Sequence, residues 1–116
     1  MNLSLIYERF SKDSPNIRLG GLAANLARIY SFTTKLNHKE GVEGLLNESK
    51  FFIEWTAKET DLETQIYLLE LQRQLIAWQF HFSEIWNDES KKHEMANKSK
   101  EYSDKILKLS GLLEQK

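Results

Sequence analysis

Hydrophobic positions recur at helical spacing along almost the whole chain, most densely between Thr60 and Asn87. Over that stretch Leu68, Leu71, Leu75, Trp78, Phe82 and Ile85 fall on one side of a helical projection. Leu62, Ile66, Leu69, Ile76 and Phe80 fall on nearly the opposite side, interrupted by Arg73. No Gly or Pro breaks the run, and Thr60 three residues before Glu63 reads as a capping box. The pattern predicts one uninterrupted helix over 61–87, roughly 40 Å long. A surface helix ordinarily carries a single apolar stripe. A rod with two must be covered twice, by its own chain or by a second copy.

The rest of the chain supplies partners for that rod. Leu3, Ile6, Tyr7 and Phe10 mark a short amphipathic helix over 2–11. Ser14 and Pro15 then start a longer one over about 15–36, carrying Leu19, Leu22, Leu26, Ile29, Thr33 and Leu36. Beside that stripe lie Gly20, Ala24, Ala27 and Ser31, with Ala23 between them. Adjacent Gly20 and Gly21 cost about 1 kcal/mol each in a helix interior, so either the helix begins after them or another helix approaches closely there, and the small-residue flank continuing past them favours the second. Asn37 with Glu40 reads as the cap of the next helix, about 38–57. That helix buries Val42, Leu45, Leu46, Phe52 and Ile53, with Ser49 in the stripe and Phe51 and Trp55 to one side. After Asn87 and Asp88 the last helix, about 89–114, carries Met95, Ser99, Tyr102, Ile106, Leu109 and Leu113. Its outer face offers Glu94–Lys98, Glu101–Lys105 and Asp104–Lys108 at i, i+4. The prediction is one all-α domain, 1–116: an antiparallel up-down four-helix bundle with a short N-terminal helix.

Charge narrows the partners. A net charge of −1 gives no overall field towards nucleic acid or anionic lipid. Lysines crowd the last helix, but Glu94, Glu101 and Asp104 interleave with them and cancel the field, so no nucleic-acid partner is expected. No segment reaches the ~20 apolar residues of a membrane span, and MNLSLIYERF does not read as a signal peptide. With no cysteine for disulfides or thiolate sites, a cytoplasmic location is expected.

Chemistry is thinly represented. His38, His81 and His93 lack the Glu-x-x-His spacing of carboxylate di-metal bundles, and Glu89 with His93 is too few ligands for a metal. There is no nucleophile elbow, no cysteine nucleophile and no phosphate-binding glycine fingerprint. No cofactor, metal or enzymatic activity is expected. Arg73 is read either as a snorkelling side chain or as half of an interface ion pair, with Glu70 or Glu48 of a partner. Gln65, Gln72 and Gln79, spaced by seven, form a neutral strip able to hydrogen-bond across a helix seam.

The runs RLGGLAANLARIYSF (Arg18 to Phe32) and ESKFFIEWTA (Glu48 to Ala57) resemble a group of small uncharacterised proteins of filamentous cyanobacteria. The resemblance implies a cytosolic helical bundle and carries no catalytic or ligand residue with it. Two functions compete. One is a non-enzymatic interaction module that self-associates, as a dimer, through the 60–87 helix, or docks another protein there. Its candidate interface is Leu62, Ile66, Leu69, Arg73, Ile76, Phe80 and Trp55. The alternative is a small-molecule binder with an apolar pocket lined by Trp55, Trp78 and Phe82.

Overall fold

A computed structural model of the chain describes residues 2–114. Five of the six helices start where a side chain satisfies an otherwise orphaned backbone donor; α5 alone among them has no such cap. Asn2 accepts from Leu5 N–H at 3.1 Å to open α1, Leu3–Ser11. Ser14 caps α2, Pro15–Thr34, with Pro15 in its first turn. His38 opens α3, Lys39–Thr56, which runs on into a 3₁₀ turn at Ala57–Glu59. Asp61 opens α4, Leu62–Phe80, and His81 separates it from the short α5, Phe82–Trp86. Asp88 caps α6, Glu89–Ser110, and Gly111 ends it in the left-handed conformation at φ 75°, before a last 3₁₀ turn at Leu112–Glu114. No strand occurs among the described residues, so the chain is all-helical as its periodicity predicts.

The most extensive helix contacts are made by α2 rather than by the doubly apolar α4. α6 and α3 lie along α2, while α4 leans mainly on α3. At the α2–α6 contact, Ser103 Oγ donates to Ala23 O at 2.7 Å, and Gly20 faces Leu112. A Cβ on Gly20 would come within 2.7 Å of the Leu112 Cδ1 atom. Both glycines therefore lie inside α2, but the close neighbour of Gly20 is the Leu112 side chain of the final turn rather than another helix, and Gly21 meets Phe10 and Phe52 only at ordinary contact distances of 3.8 and 3.9 Å. Leu22, Leu26, Ile29, Val42, Leu46, Leu68, Leu71, Leu75, Met95 and Ile106 make the centre of the core. A Cα radius of gyration of 13.8 Å fits a chain of this length folded around one core.

Several boundaries differ from the sequence reading for physical reasons. The expected rod over 61–87 is broken at His81 (φ −101°, ψ 18°). Both pieces keep their core stripe: Trp78, Phe82 and Ile85 are all buried, and α5 lies against α6. Thr60 is not the cap of α4, because its hydroxyl donates to Ala57 O at 2.6 Å and closes the preceding turn. Asp61 Oδ1 takes that role, accepting from Thr64 N–H at 2.8 Å. Asn37 is not a cap either. It adopts φ 49° and turns its side chain to Lys92 Nζ, while His38 Nδ1 accepts from Gly41 N–H at 2.7 Å. α2 and α6 stop short of Leu36 and Leu113, which are exposed.

Candidate interaction face on α4

The inward side of α4 is anchored as its stripe predicts. Thr64, Leu68, Leu71, Leu75 and Trp78 are buried, and the Trp78 ring meets Tyr102 of α6 edge-on at 6.2 Å. Two of the three glutamines then fix the helix to α3: Gln72 Nε2 donates to Lys50 O at 3.2 Å and Gln79 Nε2 to Asn47 Oδ1 at 3.4 Å. Gln65 stays within its own turn, donating to Thr60 O. With one side in the core and one edge stitched to α3, the helix cannot roll, and its opposite side is held outward.

That outward side is apolar. Leu62 is 72% exposed, Ile66 52%, Leu69 61%, Ile76 51% and Phe80 83%. Together with Arg73 they step along the helix by four, three, four, three and four residues, the spacing of a coiled-coil seam. The seam runs the full length of α4, roughly 28 Å at 1.5 Å per residue. Isolated exposed apolar residues are ordinary; a row of five on one helix, interrupted only by Arg73, is the kind of patch that marks interaction surfaces.

The charges around the row are sparse and acidic. Arg73 is exposed and forms no ion pair among the described residues. Glu70, also exposed, is equally unpaired among them and lies with Glu63 in a groove towards Lys105 and Leu109 of α6. Its charge, after burial and the neighbouring Tyr102, helps push the Tyr67 hydroxyl up to about 12. Glu48, the other partner considered for Arg73, is already engaged by Asn25 Nδ2 at 3.0 Å.

Trp55 does not belong to this face. It sits half-buried on α3 beneath α1, edge-on to Tyr7 at 5.0 Å and 5.8 Å from Phe10, which itself stacks on Phe52 at 4.1 Å. The three aromatics of the pocket hypothesis are therefore not brought together. Trp55 borders a surface groove of about 490 Å³ with Leu3, Tyr7 and Phe51. Trp78 borders a different one, about 370 Å³, at the His81 break. Phe82 packs on Trp86 at 5.5 Å, inside the core.

Polar side chains inside the fold are structural. Arg18, 8% exposed, donates to Asp13 O at 2.9 Å, Trp55 O at 3.1 Å and Ser11 O at 3.2 Å, and pairs with Glu59. It ties the end of α1 to the end of α3. Lys92 is buried against the Trp86 ring at 4.3 Å and donates to Asn37. Sequence reasoning missed both, although a signal existed: Arg18 and Asn25 share the helical phase of Leu22 and Ile29, and Lys92 shares that of Met95 and Ser99. On α6 the expected i, i+4 pairs are replaced by Lys98–Glu101 and Lys100–Asp104. Lys105 instead extends over the Tyr67 ring.

No group of three or more metal-ligating side chains occurs among the described residues. Among the described residues, no helix is long and apolar enough to cross a membrane. Compared with known families, curated proteins and solved structures, the chain shows no significant match.

Proposed function

We propose that this protein is a non-enzymatic interaction module, an up-down helical bundle that self-associates through the outward face of α4. The observation that carries the reading is the seam of Leu62, Ile66, Leu69, Ile76 and Phe80, exposed on a helix whose other side and edge are fixed. Burying such a row removes apolar surface from water at about 25 cal/mol per Å² before the costs of association. Two such faces bury on the order of 1,000 Å² in total, at the lower bound for a specific interface, which fits a weak, reversible dimer. A membrane surface is a poorer fit, because amphipathic helices that lie on anionic lipid carry lysine and arginine beside the apolar face. Here the flank carries Glu63 and Glu70.

Sedimentation equilibrium across a concentration series tests the proposal. The wild type should pass from monomer to dimer in the micromolar range, and Phe80→Glu should remain monomeric with unchanged helical circular dichroism. Phe80 supports no core packing, so loss of association will not be loss of fold. A wild type that stays monomeric to near-millimolar concentration contradicts the proposal.

A further inference from the structure

Resting on that reading, a narrower question is how the second copy lies on the first. We infer that two α4 helices dock antiparallel about a two-fold axis near Leu71, with Arg73 of each copy against Leu69 and Glu70 of the other. The composition of the seam decides the direction. A parallel two-fold pairing stacks each position on itself, so it places Arg73 against Arg73 in the middle of an apolar interface. Two buried like charges with no counter-ion are strongly unfavourable.

The antiparallel pairing removes that conflict. Because the row steps 4-3-4-3-4 and is symmetric about Leu71, reversal keeps every layer in register. Leu62 then faces Phe80, Ile66 faces Ile76, and Leu69 faces Arg73. The Arg73 stem covers Leu69 across the axis, and its guanidinium reaches Glu70 of the other copy. By symmetry this happens twice, so two arginines and two glutamates neutralise one another at the centre. Both residues are exposed and unpaired among the described residues of the single chain, although they stand three apart on one helix. The turn at His81 directs α5 back towards α6, which leaves the Phe80 end of the seam open to the incoming Leu62.

Charge reversal separates this arrangement from every other. Arg73→Glu alone sets two pairs of glutamates together, and Glu70→Arg alone sets two pairs of arginines together. Each variant alone should associate at least roughly tenfold more weakly than the wild type. Mixing the two variants restores both attractive contacts, so native mass spectrometry of an equimolar mixture should show mixed dimers well above the statistical half. A mixture with no such preference overturns the register, even where the wild type forms a dimer that Phe80→Glu dissolves. A wild type that never dimerises fails the underlying reading instead, and the two failures are distinguishable. Direction has its own check, because the chain has no cysteine of its own. Chains carrying Glu63→Cys and Ala77→Cys should cross-link to each other under mild oxidation. Chains carrying Ile66→Cys should not cross-link among themselves, because that seam position faces Ile76; rapid cross-linking of that kind would establish the parallel arrangement, which stacks each seam position on itself, and overturn ours.

Discussion

Arg18 carries more of this fold than any other polar side chain. Its guanidinium satisfies three carbonyls from two chain breaks and holds Glu59, all beneath the apolar stripe of α2. Hydrogen bonds from charged donors contribute about 1.5–3 kcal/mol each, and loss of a shared donor orphans its acceptors. Glu59 is itself 44% exposed, so its share is largely screened. Arg18→Ala should therefore destabilise the protein by about 2–3 kcal/mol in urea unfolding, and hydrogen exchange should quicken in α1 before any other helix. An unchanged exchange pattern would show that α1 is held by its apolar contacts, Phe10 on Phe52 and Tyr7 on Trp55, without Arg18. Tyr67 makes a second prediction at this scale. Burial raises its phenol from 10.0 to about 12, so the folded state favours the neutral ring. The stability this supplies is complete below pH 10 and is lost as pH rises through about 12. Denaturation midpoints should fall over that window in the wild type and fall less in Tyr67→Phe.

Among the elements, periodicity made the helices legible and side-chain competition blurred their ends. The core stripe of α4 and α5 reads correctly from Leu68 to Ile85 because burial depends only on phase. The break at His81 does not read, since neither Gly nor Pro marks it and tertiary packing of Phe82 and Ile85 decides it. Caps failed in the same way. Thr60 and Asn37 are good capping types, but each finds a better partner, in Ala57 O and Lys92. Aromatic character alone does not place Trp55 on the α4 face, because its ring packs against Tyr7 and Phe10 of α1. By contrast the glutamine strip was legible as a seam, and Gln72 and Gln79 do bond across it. Those two bonds matter for the interface, because they set which residues α4 presents.

For the molecule as a whole, the sequence poses a covering problem that the fold solves by half. Two apolar faces are written on one helix, and the single chain covers only one of them. The self-association proposed here is the other half of that solution. Hydroxyl-radical footprinting at low micromolar and near-millimolar concentration reads it at the residues concerned. Leu62, Ile66, Leu69, Ile76 and Phe80 should be labelled freely when dilute and protected together when concentrated, while exposed Leu36 and Ile17 stay unchanged. Equal labelling of the α4 face at both concentrations would contradict it.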